Sequence, residues 1–178
     1  MSGQMRCLLD KVTARRILEG LLKLAESRDL TDDEILALDL FERAMHEDLR
    51  LFIIPPTYNV LRQLRDLPRY AALINLFLTR VELASPTRYF KRWTRRLQEY
   101  GFTPEDAKVL ALATFCTGEE ADFIGVQAVV TFDQPMVRHW ALQLPAIQEH
   151  LTTMQKDFAE PYQSAVLPQV LHPLQVSV

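Results

Sequence analysis

The sequence predicts a three-layer α/β/α fold built on a short parallel sheet. Three observations lead there. Short apolar runs rich in β-forming residues alternate with stretches whose apolar residues recur every three or four positions. No two-residue hairpin turn joins any two of the apolar runs, so the strands must be linked by crossovers that return them in parallel. The chain has 178 residues, 48% hydrophobic and 24% charged, a composition that excludes disordered and fibrous classes. A chain of that size buries about 70% of its unfolded surface and needs no disulfide or metal staple.

The elements follow in order. Arg6 to Leu9 is a short apolar run ending at Asp10, and Val12, Ile17, Leu18, Leu21 and Leu22 then keep helical spacing. Thr31-Asp32-Asp33-Glu34 has the spacing of a capping box and opens a second helix to about Leu49. Leu51 to Ile54 reads as a buried strand stopped by Pro55-Pro56, with a helix from about Thr57 to Leu67. Tyr70 to Leu78 is apolar all round and reads as a buried helix, and Arg80 to Ala84 as a short strand. Ser85-Pro86 carries the start grammar of a helix running to Tyr100 and stopped by Gly101. Thr103-Pro104-Glu105-Asp106 repeats that grammar before an Ala- and Leu-rich helix. Gln127 to Phe132 is a β-branched run ending at Asp133, followed by a helix from Pro135. Residues 1–150 form the domain, and residues 151–178, with prolines at 161, 168 and 173, read as a loosely structured extension.

Composition narrows function further. A formal charge of −3 rules out a polycation, so any nucleic-acid contact must come from local charge. Two cysteines, Cys7 and Cys116, form no framework and suit a reducing compartment. No secretory signal or membrane span is legible, which points to a cytoplasmic protein with no membrane partner. The four histidines lack zinc spacing, and the glycine-rich phosphate loops and the nucleophile elbow are absent.

Two of the clearest strands run straight into aspartates, Asp10 and Asp133. In open parallel sheets ligands bind beyond the carboxyl ends of the strands. Asp106, third in its helix start, sits where the helix dipole favours an anion. Three converging carboxylates repel one another unless a divalent cation neutralises them, and hard oxygen ligands suit Mg²⁺ or Mn²⁺. Each aspartate has an equally local structural use. Asp10 and Asp133 can cap the helices that follow, and Thr103 with Asp106 has capping-box spacing.

Cys-Leu-Leu-Asp10, Ile-Pro-Pro-Thr-Tyr-Asn-Val-Leu-Arg-Gln-Leu, Thr-Pro-Glu-Asp106-Ala-Lys-Val-Leu-Ala-Leu-Ala and Val-Val-Thr-Phe-Asp133 together resemble a PIN domain over about residues 5 to 150. The resemblance implies an α/β/α sandwich of the toxin–antitoxin type, an RNA-cleaving hydrolase using Mg²⁺ or Mn²⁺, and an antitoxin-like protein partner. Asp10, Asp106 and Asp133 then match three metal-binding acids, with Gln63 and Thr131 near the site. Where the family has a second acid, this sequence has Gln63, and Lys11 follows the first acid directly. A site so altered raises an alternative: a catalytically silent PIN-like module that binds RNA or a protein partner.

Charge is unevenly spread. From Arg62 to Arg96 nine basic residues face two acidic ones, net +7, with Tyr89, Phe90 and Trp93 interleaved. Arg62, Arg65, Arg92, Arg95 and Arg96 are candidate nucleic-acid contacts, able to meet phosphates beside stacking rings. The same pattern also describes an ordinary helix with Phe90, Trp93 and Leu97 inward and the arginines solvated. Leu24 to Asp48 mirrors it with nine acids against two bases, net −7, so pairing between copies in a homodimer is expected.

Overall fold

The computed structural model describes residues 4–46 and 48–177, so Glu47 of the acidic segment and Val178 of the tail lie outside the described residues. Strand β1 (Met5–Leu9) leads into α1 (Lys11–Ala25), α2 (Asp32–Met45) and β2 (Leu49–Ile53). Helices α3 (Pro55–Leu64) and α4 (Pro68–Leu78) precede β3 (Val81–Leu83) and the two-residue β4 (Ser85–Pro86). Helices α5 (Phe90–Glu99) and α6 (Pro104–Phe115) are followed by the short β5 (Cys116–Thr117) and by β6 (Ala128–Val130). The long α7 (Gln134–Gln155) and β7 (Gln169–Leu171) complete the fold.

Five strands form one parallel sheet in the order β3-β2-β1-β6-β7, flanked by helices in a three-layer α/β/α arrangement. Strand alternation divides the core in two. Cys7, Leu9, Leu51 and Ile53 point to the layer of α1, α2 and α4, where Ile17, Leu40, Phe41 and Phe77 pack. Leu8, Phe52 and Val129 point to the layer of α5, α6 and α7, where Trp93, Leu97, Leu110, Trp140 and Leu151 pack. The sheet's direction of growth reverses between β1 and β6, so a crevice opens beyond their carboxyl ends, where such sheets bind ligands.

Local rules set most boundaries. The Thr31 hydroxyl accepts the Glu34 amide while the Glu34 carboxylate accepts the Thr31 amide, as the spacing predicts, and Glu34, 2% exposed, also pairs with Lys23. Pro55 and Pro56 do not merely end β2. They occupy the first turn of α3, where their missing amides are of no consequence. Among the described residues no helix is long and apolar enough to cross a membrane.

Three expectations are corrected. Ser85-Pro86 does not open a helix. The Thr87 amide and hydroxyl both donate to the Phe115 carbonyl, so the segment runs extended against β5, and α5 starts only at Phe90. Helix α4 is not buried all round. Only Ile74 and Phe77 are buried, with Tyr70 and Leu78 packed partly buried against the same core, while Leu76 is exposed. The tail is not a loose extension. Residue 150 lies inside α7, β7 adds an edge strand beside β6, and Phe158, Ala165, Leu167, Val170 and Val176 are buried.

Candidate functional site

Asp10 ends β1 and caps α1. Its Oδ1 accepts the Thr13 amide at 2.7 Å, and its Oδ2 accepts the Thr131 hydroxyl at 2.6 Å. Thr131, fully buried just past β6, also accepts the Asp133 amide at 3.0 Å, while its own amide donates to the Leu171 carbonyl of β7. Asp133 caps α7 by accepting the Met136 amide at 3.0 Å. One hydroxyl therefore ties together the two aspartates that follow β1 and β6, and the Thr13 hydroxyl fixes α1 to the Val130 carbonyl.

Asp106 enters from α6. Its amide donates to the Thr103 hydroxyl, the first half of the predicted capping box. Partial burial raises its carboxyl above the ordinary aspartate range. The Thr103 hydrogen bond opposes that rise, and the charges of Asp133, Glu105 and Asp10 add to it. The structure thus brings all three predicted acids within electrostatic reach of one another. Both local uses and convergence hold at once: each aspartate serves a helix start and faces the same crevice.

Among the described residues no Lys or Arg forms an ion pair with any of the three. Lys11 turns its ammonium onto Glu105, 2.8 and 3.0 Å from the two carboxylate oxygens, which holds Glu105 below its usual range. Arg15 lies beside Glu19. Among the described residues no group of three or more His, Cys, Asp or Glu side chains could hold a metal ion, so the three aspartates are not a ready-made ligand set.

The crevice is a groove of about 980 Å³ that the three aspartates line together with Lys11, Arg15, Glu105 and Lys108. Its walls are apolar: Val12 and Leu18 from α1, Val60, Leu61 and Leu64 from α3, Phe90 from α5, and Val109 and Leu112 from α6. Gln63 is displaced from this site. It is exposed and does not line the groove, because α3 begins at Pro55 and turns positions 60, 61 and 64 inward, each residue rotating the helix by about 100°. No carboxylate comes from α3.

The five candidate nucleic-acid arginines lie elsewhere. Arg62, Arg65, Arg92 and Arg95 are exposed on α3 or its end and on α5, Arg96 pairs with Glu99 at 2.9 Å, and none of the five lines the groove. The groove's own cations, Arg15 and Lys108, are not among the residues that the sequence singles out. Lys11 and Arg15 stand four apart at the start of a helix, a spacing that sets both on one face and offers a usable signal. Cys7 and Cys116 are buried, and burial pushes both thiols up to about 12, so neither supplies a thiolate nucleophile.

No protein-family model matches the chain, and a search of curated proteins finds no match.

Proposed function

We propose that the protein is a PIN-like ribonuclease in which Asp10, Asp106 and Asp133 hold one hydrated Mg²⁺ or Mn²⁺ at the carboxyl edge of the sheet. The observation that carries this reading is geometric: Asp10, Asp106 and Asp133 line one groove beyond the carboxyl ends of β1 and β6, where the charges of Asp133 and Asp10 add to the burial that raises the Asp106 carboxyl. Repulsion of this kind is what a divalent ion relieves. Mg²⁺ keeps several of its waters and needs only one or two carboxylates, which fits a loose set of acids better than a closed cage would. Two ions would lack ligands, since α3 contributes none.

When bound, the ion would lower the pKa of a water and offset charge on the attacked phosphate. The chain's own residues do the rest. Thr131 and the two helix starts fix the directions of Asp10 and Asp133. Asp106, whose carboxyl burial raises above the ordinary aspartate range, is suited to take a proton from an attacking water. RNA as the substrate, an antitoxin-like protein partner and a cytoplasmic location belong to the same reading and rest on the resemblance.

The test is cleavage of end-labelled single-stranded RNA in Mn²⁺ by the parent, Asp106→Asn and Asp10→Asn. The expected outcome is a loss of roughly 100-fold or more in both variants, the usual cost of removing a proton-transfer group or a metal ligand. Equal cleavage by Asp106→Asn and the parent would overturn the assignment.

A second reading has its own observation. The α3 wall presents Val60, Leu61 and Leu64 where an acid would complete the site, as in a PIN-like module that binds RNA or a protein without cleaving. Val60→Glu separates the two. If cleavage appears only in that variant, the parent is the silent module.

A further inference from the structure

Among the described residues, four exposed cations without an acidic partner crowd into eight residues at and just before α5, whereas others, among them Arg62, Arg65, Arg80, Lys108, Arg138 and Lys156, are spread over the rest of the chain. Lys11, Arg16, Lys23, Arg28, Arg50 and Arg69 each lie within 4.0 Å of a carboxylate. Arg88, Lys91, Arg92 and Arg95 are all exposed, and among the described residues none of the four has an acidic partner. Arg88 meets only the Tyr89 ring.

Within the helix this arrangement is unfavourable. Lys91 and Arg95 are a like-charge pair four residues apart, as are Arg92 and Arg96. The first turn holds no acid, the Tyr89 position makes no side-chain cap, and basic residues there oppose the helix dipole. Trp93 and Leu97 on the opposite face are fully buried, so the helix cannot roll to hide the charge. Local rules broken together without compensation inside the chain mark a surface that something outside compensates.

We infer that the solvent face of α5 is a track for the phosphate backbone of single-stranded RNA, gripped by Arg88, Lys91, Arg92 and Arg95. Lys91 to Arg95 span about 6 Å along the helix and Arg88 extends the row before its first turn, enough to follow about two to three phosphates of one strand. Phe90, on the same helix, lines the groove that holds the three aspartates, whereas none of the four cations does, so one helix carries both the track and part of the groove wall. Arg96 is left out because Glu99 neutralises it. The choice of RNA rests on the ribonuclease reading, whereas the backbone contact stands on charge alone.

The experiment measures binding of a fluorescein-labelled, fully 2′-O-methylated RNA of about 20 nucleotides, which resists cleavage, to the full chain in EDTA across a range of salt. The variant Arg88→Gln/Lys91→Gln/Arg92→Gln/Arg95→Gln changes only exposed side chains. It should reduce the slope of log affinity against log salt by about 2 to 3, at about 0.7 for each single-strand phosphate that is no longer neutralised. Affinity at physiological salt should fall by about tenfold or more, while circular dichroism stays at the parent value and Tm is equal or slightly higher, since the like-charge pairs are removed. Arg138→Gln/Lys156→Gln, two exposed cations away from α5, should bind like the parent.

Failure of the parent to bind at physiological salt, an unchanged slope in the quadruple variant, or equal weakening in the control variant would each overturn the inference. So would a dimer in sedimentation that the quadruple variant dissolves with no change in RNA binding, which would assign this face to the acidic α2 of a second copy. A parent that binds through α5 but cleaves no RNA in Mn²⁺ sinks the ribonuclease reading and leaves the track. Cleavage that survives an unchanged slope does the reverse.

Discussion

Arg50 and Asp106 are partly buried charges at opposite ends of the same sheet, and their surroundings differ in kind. Arg50, at the start of β2, places Nε and Nη2 on the two oxygens of Glu82 at 2.8 and 2.9 Å, and Nη1 on Asp122 at 3.2 Å. Its guanidinium also lies over the Phe52 and Phe123 rings, with Arg6 against Phe123 as well. Glu82, before any other influence, holds Arg50 more firmly protonated than usual. Asp106 has no ion-pair partner among the described residues, and the charges of Asp133, Glu105 and Asp10 add to the burial that raises its carboxyl. Among the described residues the other acids that are not exposed, Glu19, Asp33, Glu34 and Glu82, each have a Lys or Arg partner, whereas Asp10 and Asp106 have none. The acids left unneutralised stand at the switch point between β1 and β6, where ligands enter sheets of this kind.

Substitutions at the two ends should therefore behave differently, and the largest effect belongs to the paired end. Arg50→Met strands two carboxylates. With the Arg50 and Glu82 side chains 25% and 33% exposed, the expected loss is about 1 to 3 kcal/mol, seen as a Tm lower by roughly 2 to 10 °C. Mn²⁺ binding should be untouched, and a loss of Mn²⁺ binding in Arg50→Met would blur the contrast.

Thr131→Val removes the donor to Asp10 and the acceptor for the Asp133 amide. Its expected cost is about 1 to 2 kcal/mol in urea unfolding, together with Mn²⁺ affinity weaker by about tenfold, because a group that orients metal ligands is lost. Asp10→Ala and Asp10→Asn divide capping from ligation. The alanine variant should lose about 1 kcal/mol and the asparagine variant a few tenths, since asparagine still caps, yet both should lose Mn²⁺ binding.

The smallest effect has the opposite sign. Asp106 is raised in the folded state, so its ionised form weighs against folding above that raised value, and the penalty vanishes below the ordinary aspartate range. Asp106→Asn should raise Tm slightly at neutral pH, with the gain fading as pH falls toward about 3.9 and gone below it. A Tm lower than the parent's at neutral pH would show that the carboxylate is held by a cation within the chain.

The strands that end at Asp10 and before Asp133, and the helix starts at Thr31 and Thr103, were legible because each depends on residues no more than four apart. Gln63 is placed near the site by the resemblance, and the start of α3 decides otherwise. Pro55-Pro56 suits a strand end and a helix first turn equally, and that choice fixes which residues of α3 face inward. The role of Thr131 depends on a partner 121 residues away, which only the pairing of β1 with β6 supplies. Strand β7 is three residues long, stands between Pro168 and Pro173, and pairs with a strand more than a helix earlier, so no period announces it. The convergence of the acids was readable in outline because both strands end in aspartate. The apolar α3 wall was not.

The most direct measurement is calorimetric titration of Mn²⁺ into the full chain, repeated with Asp106→Asn and Asp133→Asn. The expected result is one ion bound per chain by the parent and no binding heat in either variant. An absence of heat in the parent, or the same isotherm in Asp106→Asn, would contradict the claim that these three carboxylates share a single cation.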